Sequence, residues 1–562
     1  MIAAGQLAAA GLVAQDLGAA GVAEVALAEL GGHPRCVAES AVASQATAHH
    51  DTPGATHLAL TNAMAVLYRP SRGLMQHGVS ARTRPGLIAV VSPGMRRFIA
   101  EIIAFLSLTL AVPVAAEVVL RLLDVRTETP VFQPGTRADG TPSVRLAWNP
   151  QVRVPQPVQP HRDFPAVKAP GTFRIFVIGE SEAEGVPYGP DLAFSTWLER
   201  RLAAQAPQVH WEVVNAALGG LQSRAALEIV DDIAGYDPDL LVVYLGHNDA
   251  RTRYSENERR WIDPRGFGWR SWLLRTRVYQ LLSRVLPPSA ATRLIDPTMV
   301  GVRGFGIEAD GRTLHSTSSD RALSAVVFGA RLTEMVRTMR SVGARTMLLT
   351  LSQNFSDWPP GFSSHRPGMR PADKVAWRAA MRAGDALAAT DCTAALAAWA
   401  PAVELDDGFA ALQFKMATCE RTLGRLEAAS ARFRRASDLD GIPQGAPTAF
   451  NDVIRTVASE QNAILVDIDL LFSRTSGPTL VGDDLFVDSQ HIALRGHQLI
   501  AQAVADAIRE SGVAGPGVRW NLDAYADPDA HALLDGNPEL RFKEHLARLF
   551  ACDAASRPDC AR

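Results

Sequence analysis

The chain has 562 residues, too many for one ordinary core, so two or more units are expected. Its 56 basic and 59 acidic side chains leave a net charge of -3, which gives no global electrostatic attraction to nucleic acid. Five cysteines without a Cys-x-x-Cys pair or a His/Cys cluster at zinc spacing leave scattered carboxylates as the one conceivable metal site.

Residues 1–94 are rich in Ala and Gly, carry few charges and show no motif. Met95 is followed by Arg96, Arg97 and a long apolar run, the layout of a membrane-targeting segment placed too late in the chain. One expectation is that translation starts at Met95 and that 1–94 is a start-site artefact. Residues 98–123 exceed the roughly 20 residues needed to span a bilayer, with Glu101, Glu117 and Arg121 near the ends. Arg96 and Arg97 on the cytoplasmic side would put the remainder outside: a single span in a bacterial inner membrane with the folded part in the periplasm. A signal peptide cleaved near "VPVAA" would export the remainder too, and a buried core helix is the third reading.

Residues 124–170 are Pro-rich and aperiodic, an expected extended spacer. From 171 short apolar strands alternate with amphipathic helices. Strands are predicted at 173–178, 211–214, 240–245, 346–351 and 463–468, and helices near 193–205, 222–234, 325–342, 448–460 and 493–510. Uninterrupted apolar strands separated by helices predict a parallel sheet covered on both faces, with its ligand beyond the carboxyl ends of the strands.

The alternation breaks at 373–440. Ala395, Trp399, Ala402, Leu405 and Asp406 recur 34 residues later as Ala429, Phe433, Ala436, Leu439 and Asp440. "LGRLEAASARFRRASDLD" resembles the second helix of a tetratricopeptide repeat, and an Ala-rich helical insert is the plainer reading. Two such units fall short of a free-standing solenoid, so the pair is expected to lean on the α/β domain and could receive a protein partner. The expected units are thus 1–94, 95–123, 124–170, an α/β domain in two parts (171–370 and 442–513) interrupted by a helical insertion at 371–441, and a C-terminal tail, 514–562.

"FRIFVIGESEAEG" ends a strand on Gly179, Glu180 and Ser181. The serine is either a helix cap or a nucleophile, and a nucleophile needs a base and oxyanion donors. "VVNAALGGLQS" supplies Asn215, Gly219 and Gly220, and "VVYLGHNDA" supplies His247, Asn248 and Asp249. In "LFVDSQHIALRGHQLIA", Asp488 and His491 are three apart, so one turn can present both, with Asp488 on Nδ1 and Nε2 facing a serine. Each piece alone reads more readily as structural; together they fall at the carboxyl ends of strands in one sheet or in the loop after the last strand.

In that order of Ser, Gly, Asn and Asp-x-x-His the chain resembles the SGNH, or GDSL, hydrolase superfamily, over about 171–370 and 442–513. The resemblance implies a three-layer α/β/α flavodoxin-like sandwich of about five parallel strands. It implies Ser181 as nucleophile, Asp488 and His491 as its partners, and an oxyanion hole from the N–H groups of Ser181 and Gly220 and the Asn248 amide. No metal or other cofactor is implied. Glu180 stands where the family has Asp, and His247 replaces a glycine or small residue, either lining the pocket or held by a structural hydrogen bond. Membrane-tethered members suggest O-acyl groups on envelope or exported polysaccharide as the substrate of an esterase, with an O-acyltransferase and a non-catalytic assembly module as alternatives. In an oxidising compartment Cys552 could pair with Cys560, and Cys392 with Cys419; free buried thiols are the other reading.

Overall fold

The computed structural model describes residues 93–123, 125, 131–137, 140–146, 163–252, 273, 276–285, 306–307, 313–477 and 480–554. The 1–94 extension lies almost wholly outside these residues, and with it the start-site reading. Helix α1 (Pro93–Leu122) straddles the boundary between two compact units, and the architecture below belongs to the unit from Ala115 onward. Within the helix, Ala100–Leu122 is long and apolar enough to cross a membrane by length and composition.

The expected spacer is in part a folded element, which corrects that reading. Strands β1 (Phe132–Thr136), β2 (Pro142–Leu146) and β3 (Phe164–Pro165) form a small antiparallel sheet. Its prolines stand on short strands at the edge or start, where a missing N–H is tolerated, so Pro content misled. Phe132 and Phe164 are buried and pack edge-on against Phe176 and Tyr236 at 5.3–6.1 Å between ring centres. Asp232 accepts from the N–H of Val131 and Phe132 at 2.8 and 2.9 Å, which fixes the entry.

The sheet proper follows in chain order. β4 (Thr172–Gly179) leads through the single turn α2 (Ser181–Glu184) to α3 (Phe194–Gln205) and β5 (His210–Asn215). Helix α4 (Ser223–Ile233) leads to β6 (Leu240–Tyr244), and α5 (Ser318–Ser341) to β7 (Arg345–Leu349). Four helices intervene: α6 (Pro371–Leu387), α7 (Cys392–Leu405), α8 (Ala410–Thr422) and α9 (Leu426–Asp438). Then α10 (Thr448–Gln461) leads to β8 (Ile464–Val466), α11 (Ile468–Ser476) and α12 (Leu494–Ser511). All five strands are parallel, in the order β8-β7-β6-β4-β5, a flavodoxin-like winding. One pair of helices, α3 and α12, packs together, as do α4, α5 and α10 in a second group, and the sheet lies between them.

Ile175, Phe176, Val177 and Ile178 of β4 are fully buried, each worth about 1.5–3 kcal/mol of transfer energy. Two boundaries differ from expectation. The last strand stops at Val466 because Asp467 caps α11, its side chain accepting from the Leu470 N–H at 3.0 Å. Helix α5 starts earlier, at a Thr317/Asp320 capping box.

The insert forms two helical hairpins, α6–α7 and α8–α9. Trp377, Met381, Trp399 and Met416 form a core of its own, and Cys392 is bonded to Cys419. Ala417, Ala429 and Phe433 pack instead with Phe355 and Leu480 of the α/β domain, as a pair too short to stand alone requires. The two repeated aspartates do the same work. Asp406 accepts from the N–H of Gly408 and Arg366 and from His365 Nδ1. Asp440 accepts from the N–H of Ile442, Gly361 and Phe362. Each closes its own turn and pins one end of the 361–366 loop.

The C-terminal tail is docked. Asn521 N–H donates to Gln205 O at 2.8 Å, Arg201 pairs with Asp527, and helix α13 (Pro538–Ala554) offers Glu544 to the Tyr188 hydroxyl. Cys552 is in a disulfide; Cys560 lies outside the described residues.

Candidate active site

Gly179 ends β4 where a Cβ would sit 2.4 Å from the Tyr244 carbonyl and 2.5 Å from Ala183 Cβ, so strand, neighbour and following turn can only meet over a glycine. The chain then turns at once into α2, and Ser181 is its first residue. Ser181 keeps 8 % of its surface exposed.

The far partners come from one hairpin-like turn. Val487 N–H donates to His491 O at 2.8 Å, which brings Asp488 and His491 to the tip. Asp488 accepts from the N–H of Gln490 and His491 at 2.9 and 2.8 Å, and its other oxygen lies 2.6 Å from His491 Nδ1. A carboxylate only accepts, so Nδ1 carries the hydrogen and Nε2 presents its lone pair. That Nε2 stands 2.9 Å from Ser181 Oγ. The structure thus brings together three side chains separated by 310 residues, in the order and spacing that proton transfer from a serine needs.

Burial alone would raise the Asp488 carboxyl; the facing His491 charge and the three hydrogen bonds hold it below the usual carboxylate range. Burial alone would lower His491; the charge and hydrogen bond of Asp488, with the charge of Glu182, lift it above the usual histidine value.

Asn248 follows β6 at the switch point of the sheet, beside the end of β4. Its side-chain nitrogen gives one hydrogen to Leu221 O at 3.2 Å, leaving the second N–H for another acceptor. Gly220, immediately before Leu221, is exposed at φ +75°, a backbone that favours glycine. Asn215 ties this loop to the serine turn, donating to Ala183 O at 2.9 Å and to Ser195 Oγ at 3.0 Å.

Several residues that hold these loops had no assigned role in the sequence. Glu180 accepts from the N–H of Gly246 and Asn248 at 2.6 and 2.8 Å, so its extra methylene over aspartate reaches the Asn248 loop. Glu184 accepts from Gly219 N–H at 2.6 Å. Asp249 holds Ser223, and Gln222 Nε2 donates to Asn248 O at 3.0 Å. The signal was present as three acids alternating in "ESEAEG", but only the tertiary fold shows which amides they meet. His247 lines no pocket: it is 1 % exposed, its Nδ1 accepts from Ala446 N–H at 3.0 Å, and burial pushes its pKa down to about 3. It holds the base of α10.

The insert reaches this site through one loop. Asn354 N–H donates to Ser489 O at 2.9 Å, and Gln353 Nε2 donates to Ser437 Oγ of α9 at 2.8 Å. A shallow cleft is lined by Ser489 together with Gln353, Trp358, Phe414 and Phe433.

A five-stranded parallel sheet of flavodoxin-like order thus brings Ser181, His491 and Asp488 together at its carboxyl edge. Residues 177–414 match the model of the GDSL-like Lipase/Acylhydrolase family, and the chain is an ester-hydrolysing enzyme. The matched stretch contains Ser181, Gly220 and Asn248 and ends before Asp488 and His491. No curated protein matches the chain. Solved structures with partial likeness include LAE5, an alpha/beta hydrolase enzyme from the metagenome of Lake Arreo, Spain (15 % identity, 60 % of this chain and 94 % of that one, TM-score 0.28). Others are an acetyl xylan esterase, AlAXEase (12 %, 60 % and 100 %, 0.28), and the psychrotrophic esterase EstA from Pseudoalteromonas sp. (13 %, 60 % and 97 %, 0.27). Superpositions this partial bear on neither activity nor substrate.

Proposed function

We propose that the protein is a serine esterase that cleaves an O-acyl ester by a covalent route, with Ser181 as nucleophile, His491 as base and Asp488 as its orienter. The observation that carries this is the hydrogen-bonded series from Ser181 Oγ through His491, at 2.9 and 2.6 Å, to Asp488. As Ser181 Oγ bonds the ester carbonyl carbon, its proton passes to His491 Nε2. The oxyanion is held by the N–H groups of Ser181 and Gly220 and the spare N–H of Asn248; each such donor is worth about 3 kcal/mol. His491 returns the proton to the leaving alcohol. Water, deprotonated by the same imidazole, then releases the acid.

The substrate we propose is an acylated envelope or exported polysaccharide, met outside the cytoplasm by an enzyme anchored through residues 98–123. The apolar helix, the Cys392–Cys419 disulfide and the bonded Cys552 support an oxidising compartment beyond a membrane. A sugar hydroxyl in place of water would make the same site an O-acyltransferase, and the tetratricopeptide-like insert would then steer the acceptor or a protein partner. A fluorophosphonate probe at Ser181 tests the nucleophile; unlabelled protein would leave only an assembly role. Acyl release measured with and without a polysaccharide acceptor separates hydrolysis from transfer.

A further inference from the structure

Three acids alternate along the serine turn, and two have partners. Glu180 and Glu184 hold backbone amides of the loops after β6 and β5. Glu182, next to the nucleophile, is fully buried, and neither of its carboxyl oxygens has a hydrogen-bond partner beyond its own backbone N–H. A buried unpartnered carboxyl costs stability, and a methionine or leucine would fill the same space without that cost. Structural need alone therefore does not account for it.

The groups that face it come from three elements. His491 and Asp488 stand on the hairpin tip, and Arg251 follows β6. Tyr244 ends β6, and burial and the Glu182 charge push its hydroxyl up. Glu180 adjoins on the turn itself. Asp488 thus occupies the Nδ1 side of the imidazole, while Glu182 is a second acid within electrostatic reach of it.

We infer that Glu182 is a positioning residue for the reaction, a buried second counter-charge that supports His491 while it holds the Ser181 proton. Burial pushes the Glu182 carboxyl up and the His491 and Arg251 charges pull it back, so its ionisation is tied to that of His491. Two negative neighbours then raise the imidazole where one would raise it less. Glu182 touches no reacting atom, and the inference rests on the roles proposed above for Ser181 and His491.

The test is the pH dependence of kcat/KM on a short acyl ester for the full chain, wild type against Glu182→Gln and Glu182→Met. Loss of the second charge lowers the His491 pKa, so the acid limb should move down by about one pH unit. The plateau rate should fall several-fold while KM stays put. A purely structural Glu182 would change the melting temperature and leave the limb in place, and an unmoved limb overturns the inference. In the wild type, the His491 imidazole followed by NMR should titrate in two steps, and a single step overturns it as well, even if neither variant folds. If Ser181→Ala keeps its activity, the proposed catalytic roles fail first. If that variant is dead and the Glu182→Gln profile matches wild type, only the second counter-charge fails.

Discussion

The parallel-sheet domain and the four-helix insert bury their apolar residues by different means. In the sheet, β4 lies between β5 and β6, and Val177 faces both Asn215 and Val242, so no strand completes its hydrogen bonds with a chain neighbour alone. Its core is one continuous cluster from Val131 to Leu540. In the insert, neighbours in sequence pack on one another, a disulfide ties α7 to α8, and contact with the domain includes Phe355, Leu480, the 353–366 loop and the bonds of Arg434 to Asp469 and Ser473 in α11. The non-local fold gathers side chains hundreds of residues apart into one site. The local fold adds Phe414 and Phe433 to the cleft that Ser489 lines.

That contrast sets the scale of each expected defect. Ser181→Ala should lower turnover of a short ester by about 10⁴-fold or more, with the melting curve nearly unchanged. Asn248→Ala should cost about 10²–10³-fold, since the two backbone donors remain. Activity should fall about tenfold per pH unit below the His491 pKa, which lies above the usual histidine value because of Asp488 and Glu182; a limb below pH 6.5 would contradict the geometry.

Defects in the insert should read out in stability instead. Asp440→Ala strips the acceptor from the N–H groups of Gly361, Phe362 and Ile442 and should cost about 2–3 kcal/mol, seen as a lower denaturant midpoint. Cys392→Ala should cost about 3 kcal/mol or less by loop entropy and leave small-ester turnover at the wild-type level. Equal loss of turnover in either variant would erase the distinction between the two regions.

The five strands were legible as uninterrupted apolar runs because burial on both faces leaves no polar positions to confuse the period. The Asp-x-x-His pair was legible for a local reason: three residues of spacing fit one turn. The 34-residue recurrence was legible too, down to its aspartates, because each repeat pays the same packing debt. The small sheet at 132–165 was hidden by its prolines, and the docking of 514–554 by its lack of any apolar period.

Chain order alone determined that Ser181, Gly220, Asn248, Asp488 and His491 fall after strands of one sheet. It also determined that the chain holds an apolar segment of membrane-spanning length. Only the tertiary structure decided which acid does what. Glu180, Glu182 and Glu184 are chemically identical and two residues apart, yet Glu180 holds the Asn248 loop, Glu184 holds Gly219 and Glu182 is buried with no other residue bonded to its oxygens. The reason is physical: a carboxyl's role depends on which amides and charges surround it, and those arrive from β5, β6 and the 488–491 turn only when the sheet has closed.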